Sequence, residues 1–326
     1  MSSAEVDLLS AGPLLTLTLN PAVDVCWDVD HLADVGKNRA RVRSVTAGGG
    51  GINVARGVAR LGGRAVAIHT AGREVGMRLN RLLDEEGIDH IVVQVEGETR
   101  EAFVLLETES RRSHHIVPPG PHLARHEGQR CLDALEGAIG TVRYVVASGS
   151  LPGDCPTTST WPSRARSRRP DPGWCWIPPG RRSGVGLQKV STCSGATVLK
   201  PPSSSAELSA ASTMPEPSTS LLTTGATEVA VTTIGELGAL CSTRDGHTEL
   251  RAPTLPGRLL SDAGAGDSMV AALTTGLNAG EDLIGACARG VAAAAASVLT
   301  PGTESFDLEV VESLRLDVRI TLQRGR

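Results

Sequence analysis

The chain of 326 residues lacks the features that mark several large classes of protein. No stretch approaches the ~18 consecutive apolar residues of a membrane-spanning helix, so no membrane partner is expected. The N-terminus lacks a basic region followed by an apolar block, which predicts no signal peptide. A formal net charge of only −4 gives no reason to expect a nucleic-acid partner. The seven cysteines are scattered without a CxxC pair, which is typical of a reduced, cytoplasmic protein without a structural zinc site.

Short apolar segments instead alternate with amphipathic ones along most of the chain. Leu14–Leu19 has the pattern of a buried strand, and Ile52–Leu61 has that of a helix stopped by two glycines. Strands that alternate with helices of about ten to fifteen residues predict a mainly parallel sheet covered by helices on both faces. Ligands in such sheets bind at the carboxyl ends of the strands. We therefore predict one α/β domain over residues 1–326, with its site at that edge.

A run of four glycines precedes the helix predicted at Ile52, in the segment AGGGGINVARG. Glycines before a helix let the backbone approach a ligand closely and direct amide N–H groups at an anion or at hydroxyl groups. The run is neither a Walker A loop nor a GxGxxG motif. On its own it is as compatible with a tight connection as with a binding loop. Asn53 at the helix start favours binding, because its amide can reach a bound sugar.

A second glycine-rich segment, DAGAGDSMVAAL, also leads into a helix. Gly264, Ala265 and Gly266 form the loop, and Asp267 lies in the first helical turn. Unpaired N–H groups and the positive end of the helix dipole stabilise negative charge there. A carboxylate beside such a group of donors can take a proton from an attacking hydroxyl. In isolation, however, Asp267 is better explained as an acidic residue that favours the start of a helix.

Polar residues elsewhere are single candidates. Asp24 follows the first strand and can bind sugar hydroxyls, whereas Lys37 and Arg100 can hold a substrate phosphate. Ser148 and Ser150 lie in the loop ASGSLPG. Each of these residues alone is better explained as a solvated surface residue or a turn residue.

Together and in order, these segments resemble the ribokinase-like, PfkB-type family of sugar kinases. The resemblance covers about Leu14–Gly153 and Thr227–Thr303. It implies a three-layer α/β/α sandwich with a mainly parallel central sheet and a small β lid, formed by about residues 25–45 and 91–118. It also implies ATP and Mg²⁺ as cofactors, and a homodimer formed through the lid.

The resemblance further assigns roles to residues. Asp267 would be the catalytic base, with Gly264, Ala265 and Gly266 as the anion hole. The nucleotide would lie near TTIGELG, at Thr233, Gly235 and Gly238. The substrate contacts implied are Asp24, Lys37, Gly49, Gly50, Gly51, Asn53, Arg100 and Ser150. The segments GGGGINVAR, GKNRA, TRE and SGSLP look most like ATP-dependent 6-phosphofructokinases, which predicts fructose 6-phosphate as the substrate. Fructose 1-phosphate and tagatose 6-phosphate stay open as alternatives, because kinases for those sugars typically carry a lysine at the position of Gly50.

Residues 157–219 differ in composition from the rest of the chain. They contain nine of the nineteen prolines, twelve serines, and the tryptophans Trp161, Trp174 and Trp176. Such composition is typical of a disordered linker or a nucleic-acid arm. The family, however, has core strands and helices at this place. Reading the codons one base out of step, with free synonymous choice, converts GWCWIP into VVLDT and QKVSTCS into EGVYLL. We therefore hypothesise a frameshift near Pro156 that is restored near Leu221, which would leave a catalytically defective family member as one alternative.

One element in this segment points the other way. LKPPSSSAELSA resembles the Lys-Pro-Asn-x-x-Glu-Leu element of the family, whose glutamate helps to organise magnesium and phosphate. Lys200 and Glu207 are seven residues apart rather than the usual five. Glu207 is accordingly a weak candidate for the nucleotide site.

Overall fold

The structure, a computed structural model, describes residues 11–110, 112–140, 142–152, 173–176, 184–188, 222, 228–255, 264–300 and 306–324. Two sheets organise these residues. The larger has ten strands in the order β14-β13-β12-β11-β10-β9-β8-β1-β4-β5, and the smaller has four in the order β3-β2-β6-β7.

The strands and helices are as follows. The strands of the larger sheet are β1 (Leu14–Thr18), β4 (Ala65–Ala71), β5 (His90–Gln94), β8 (Tyr144–Ala147), β9 (Gly173–Trp176), β10 (Gly184–Gln188), β11 (Val229–Thr233), β12 (Gly238–Thr243), β13 (Gly246–Arg251) and β14 (Arg319–Arg324). The smaller sheet consists of β2 (Ala22–Val29), β3 (Ala40–Gly48), β6 (Arg100–Glu107) and β7 (Ser113–Ile116). The helices are α1 (Gly50–Arg60), α2 (Arg73–Glu85), α3 (Arg125–Ala138), α4 (Ala265–Asn278), α5 (Leu283–Ser297) and α6 (Leu308–Leu316).

The parallel part of the large sheet consists of β9, β8, β1, β4 and β5. From β9 to β14 each neighbour is antiparallel. The predicted parallel α/β arrangement is thus found around β1, and an antiparallel extension continues it on one side.

Helices cover both faces of the large sheet, as the side chains of β1 show. Successive residues of a strand point to opposite faces. Leu14 packs into a core cluster that contains buried residues of α1, α4, α5 and α6. Leu15 and Leu17 pack into a second cluster that contains Cys131 and Leu135 of α3. The large sheet therefore lies between two layers of helices, one on each face, which gives the three-layer arrangement.

The four strands of the smaller sheet overlap the two segments predicted as a lid, residues 25–45 and 91–118. Its strands β2 and β3 extend beyond the first segment, to Ala22 and Gly48. Strand β5 overlaps the second segment but pairs with β4 in the large sheet. Phe103 of β6 stacks on Trp27 of β2 with ring centroids 5.3 Å apart. No described helix is long and apolar enough to cross a membrane.

Candidate active site

The carboxyl ends of β1 and β8 lie side by side, because Leu17 is paired with Ala147 in a parallel register. The glycine run packs across both of these strand ends. The amide of Gly51 donates to the carbonyl of Ser148 over 3.2 Å. The predicted binding loop therefore lies at the edge of the sheet where ligands of parallel sheets bind.

The packing explains why glycine is repeated here. Gly49 precedes α1 with φ of +111°, a conformation that favours glycine. A Cβ on Gly50 would collide with Ser148 Oγ and lie 2.5 Å from Gly149 N. A Cβ on Gly51 would lie 2.5 Å from Thr18 Oγ1. The run is thus required for close packing against the strand ends, in addition to any contact with a ligand.

Asp267 lies in the first turn of α4, and Gly264 immediately before that helix has φ of +80°. The amide of Ser268 donates to the carbonyl of Gly264, which makes it the first helical hydrogen bond. The amides of Ala265, Gly266 and Asp267 precede it and have no partner within the helix. They form a group of donors at the positive end of α4, where an anion is stabilised.

Two uncharged side chains hold the Asp267 carboxylate. Asn53 Nδ2 donates to Oδ2 over 2.9 Å, and Ser148 Oγ donates to Oδ1 over 3.3 Å. Burial raises the pKa of Asp267 to about 6, against the smaller lowering effect of these two hydrogen bonds. A carboxylate with a pKa of about 6 is ionised at neutral pH and accepts a proton more readily than an ordinary aspartate.

Asp24 lies on β2, close to the glycine run. A Cβ on Gly48 would collide with its carboxylate, so glycine is needed to leave room for it. Burial raises the pKa of Asp24 to about 6, while the charges of Arg100 and Arg56 lower it and the charge of Asp267 raises it. The negative charge of Asp267 is therefore close enough to affect the ionisation of Asp24.

Arg100, Ser150 and Asn20 form a polar group beside Asp24. The guanidinium of Arg100 donates through Nη2 to the Asn20 carbonyl over 3.1 Å and to Ser150 Oγ over 3.3 Å. Asn20 Nδ2 donates to Ser150 Oγ over 2.9 Å. Asn20 Oδ1 and Arg100 Nε are buried without a hydrogen-bond partner. Their unused donor and acceptor fit a site that is completed by a polar ligand.

The other predicted contacts lie at two places. Lys37 is exposed in the loop between β2 and β3. Thr233 ends β11, which runs in the same direction as β1 and β8 because the chain reverses at β10 and again at β11. Gly235 begins a 3₁₀ turn with φ of +56°, and Gly238 follows it with φ of +116°. This turn therefore lies at the same edge of the sheet as the glycine run, separated from β8 by β9 and β10.

Glu207 lies outside the described residues. Among the residues described, no three His, Cys, Asp or Glu side chains cluster so as to hold a metal ion. Magnesium in kinases is usually held by substrate phosphates, waters and one or two carboxylates.

Two residues of this region, Asn20 and Arg56, were not predicted from the sequence. Asn20 precedes the proline of the LTLNPAVD segment, and its place between β1 and β2 gave no signal of a contact with Ser150, 130 residues away. Arg56 follows Asn53 by three residues, a spacing that places both side chains on the same side of a helix. That spacing could have indicated that Arg56 lies near the site.

Comparison with known proteins identifies the family. Residues 17–309 match the model of the pfkB family carbohydrate kinases. The chain is 38% identical over 309 residues to ATP-dependent 6-phosphofructokinase isozyme 2 of Mycobacterium tuberculosis, a match that covers 92% of this chain and 88% of that protein.

Solved structures agree on the fold. Phosphofructokinase-2 from Escherichia coli in complex with potassium superimposes with a TM-score of 0.72 and 26% identity, over 93% of this chain and 98% of that one. A possible 1-phosphofructokinase from Thermotoga maritima gives a TM-score of 0.72 at 20% identity, over 97% and 100% of the two chains, and so supports the fold alone. The predicted ribokinase-like fold and kinase class are confirmed. The chain belongs to the PfkB family of carbohydrate kinases.

Proposed function

We propose that the protein transfers the γ-phosphoryl group of ATP to the 1-hydroxyl of fructose 6-phosphate, giving fructose 1,6-bisphosphate and ADP. The observation that carries this proposal is the position of Asp267. Its carboxylate lies at the donor-rich start of α4 and is held by Asn53 and Ser148, with Asp24 within electrostatic range. A base and an anion site in one place are what phosphoryl transfer to a hydroxyl requires.

Asp267 would accept the proton of the attacking hydroxyl as the oxygen–phosphorus bond forms. The amides of Gly264, Ala265 and Gly266 would stabilise the charge that develops on the transferring group. The bond from the γ-phosphorus to the bridging oxygen breaks, and the electron pair leaves with ADP. The proton stays on Asp267 until product leaves and water takes it.

The opposite side of the site would position the sugar. Asp24 would accept hydrogen bonds from the sugar hydroxyls, because it is partly buried and, with a pKa that burial raises to about 6, is ionised at neutral pH. Arg100 and Ser150 would bind the 6-phosphate, with the unpartnered Arg100 Nε as a further donor. Asn53, Gly49, Gly50 and Gly51 would line the sugar, and Lys37 would add a positive charge from the β2–β3 loop.

The nucleotide would lie along the same edge, towards the turn at Thr233, Gly235 and Gly238. Mg²⁺ would neutralise charge on the nucleotide phosphates, and the weak candidate Glu207 would assist it. These assignments follow the family resemblance and the position of the turn at the carboxyl end of β11.

The choice of sugar is supported by the mycobacterial relative, which is named as a 6-phosphofructokinase. Its test is a comparison of kcat/KM for fructose 6-phosphate, fructose 1-phosphate and tagatose 6-phosphate at fixed MgATP. We expect the highest value for fructose 6-phosphate, and a higher value for either other sugar would replace it as the substrate. No turnover of any of the three would contradict the proposed activity.

A second candidate is a family member that binds sugar phosphate without turnover. The composition of residues 157–219 favours it, because a shifted reading frame would remove part of the nucleotide side. Thermal unfolding with and without MgATP separates the two candidates. A cooperative transition that MgATP shifts upward supports the kinase, whereas no shift supports the defective protein. Sequencing of codons 150–225 tests the frameshift itself.

Two further proposals follow from the family resemblance. We place the enzyme in the cytoplasm, where its sugar phosphate and MgATP are available. We also propose a homodimer through the small sheet, on which Val42 and Ile116 are exposed by 65% and 52%. Replacing both residues with lysine should convert a dimer to a monomer in light scattering, and an unchanged mass would contradict this interface.

A further inference from the structure

The helix that carries the glycine run also carries a buried arginine that the proposed mechanism does not use. Arg56 lies on α1, one turn after Asn53, and only 7% of it is exposed. A charged side chain is rarely buried without a partner, because removal from water is costly. The contacts of Arg56 therefore indicate what its charge does.

Two of these contacts are hydrogen bonds to neighbouring elements. Nε pairs with the carboxylate of Glu86, at the C-terminal cap of α2. Nη1 donates to the carbonyl of Ala47 over 3.3 Å. Ala47 immediately precedes Gly48, whose lack of a side chain leaves room for Asp24. Arg56 thus connects the start of the glycine run to α2.

The third interaction is electrostatic and involves Asp24. The charged groups that face Asp24 are Arg100 of β6, Arg56 of α1 and Asp267 of α4. Burial has the largest effect and raises the pKa of Asp24 to about 6, the two arginines lower it, and Asp267 raises it. Arg100 also belongs to the proposed phosphate site, and its charge is shared with the phosphate once the sugar binds. Arg56 has no such second role, so its effect on Asp24 persists in the complex.

We propose that Arg56 is a positioning residue, which holds the Ala47 carbonyl at the start of the glycine run and places a positive charge near the Asp24 carboxylate, where the sugar would bind. Glu86 fixes the guanidinium in place. The inference rests on the proposed function, because it takes Asp24 as the group that binds the sugar.

The kinetic test compares Arg56→Gln with Arg56→Lys. Glutamine removes the charge and is too short to replace Nη1 as the donor to Ala47, so the acid limb of kcat/KM should move up by about half a pH unit or more. Lysine keeps the charge, so its acid limb should stay near that of the wild type. Both variants should retain kcat at pH 8 within about threefold, because Asp267 is untouched. Arg64→Met, which changes an exposed arginine, is the matched control and should change nothing.

A uniform loss of kcat/KM at all pH values in Arg56→Gln, without movement of the acid limb, would overturn the proposal. A limb that moves equally in Arg56→Lys would also overturn it, because the charge would then not be the cause.

A stability measurement separates this inference from the proposed activity. Urea unfolding of wild type, Arg56→Gln, Asp24→Asn and the double variant gives the coupling between the two side chains. We expect a coupling at pH 8 that disappears at pH 4.5, where Asp24 is protonated. Coupling in a protein that phosphorylates none of the sugars would refute the activity but leave the interaction. Absence of coupling at pH 8 would refute the interaction, whatever the activity.

Discussion

The two carboxylates of the site have the same shifted pKa in different surroundings. Burial raises the pKa of both Asp24 and Asp267 to about 6. Around Asp24 the nearby charges include Arg100 and Arg56. Around Asp267 the side chains that donate hydrogen bonds, Asn53 and Ser148, are uncharged.

This difference separates a binding role from a proton-transfer role. Protonation of Asp24 would leave Arg100 and Arg56 without part of their compensating charge, so these two arginines favour its ionised form against burial and the charge of Asp267. Protonation of Asp267 breaks no ion pair, and its uncharged donors can adjust to a neutral acid. Two carboxyl groups in different environments commonly take different catalytic roles. We therefore propose that Asp267 takes the proton and that Asp24 binds the sugar.

The largest expected effect is that of Asp267→Asn. An amide cannot accept the proton, so kcat should fall by about 10²- to 10⁴-fold. Steady-state kinetics with fructose 6-phosphate and MgATP measure it, with circular dichroism to verify folding. A rate near that of the wild type would refute the assignment of Asp267 as the base.

Gly50→Ala tests the close packing of the glycine run against Ser148. Its Cβ would collide with Ser148 Oγ and displace the loop after β8, so we expect a loss of about 1–3 kcal/mol in the free energy of unfolding. Gly137→Ala is the matched control, because nothing lies within 4 Å of its Cβ inside α3. That change should be neutral or stabilising. Equal effects of the two substitutions would contradict the described packing.

The fold and much of the site were predictable because their signals are local in sequence. The glycine run, the start of α4 and the strand pattern of β1 each lie within about a dozen residues. The contact of Asn53 with Asp267 was not predictable from periodicity, because 214 residues separate the two. The roles assigned to these residues, and to Lys37 in its exposed loop, stay predictions.

The pH dependence of activity should reflect the raised pKa values of the two carboxylates and the hydrogen bond between Ser148 and Asp267. Both carboxylates act in their ionised form, so kcat/KM should fall as the pH decreases through about 6 rather than through about 4. Ser148→Ala removes a hydrogen bond that lowers the pKa of Asp267, so the limb of kcat should move to higher pH. A pH profile of both enzymes checks this, and a limb that stays in place or moves lower would contradict the contact.

Stability should respond to neutralisation of either carboxylate. A carboxyl group with a raised pKa in the folded state destabilises the fold as the pH rises from about 4 to about 6, and the loss persists above that pH. Burial raises the pKa of both Asp24 and Asp267 to about 6, so Asp24→Asn and Asp267→Asn should each raise the unfolding free energy at pH 7.5 by about 1–3 kcal/mol. Urea titrations at pH 4 and 7.5 measure both, and an unchanged or lower stability of both variants at pH 7.5 would contradict the raised pKa values.

The most direct test of the division of roles is the equilibrium affinity for fructose 6-phosphate, measured by isothermal titration calorimetry at pH 8 without nucleotide. The account predicts that Asp267→Asn binds with a Kd within about threefold of the wild type, whereas Asp24→Asn binds at least about tenfold more weakly, as loss of a charged hydrogen-bond acceptor implies. Equal losses in the two variants, or a loss confined to Asp267→Asn, would contradict it.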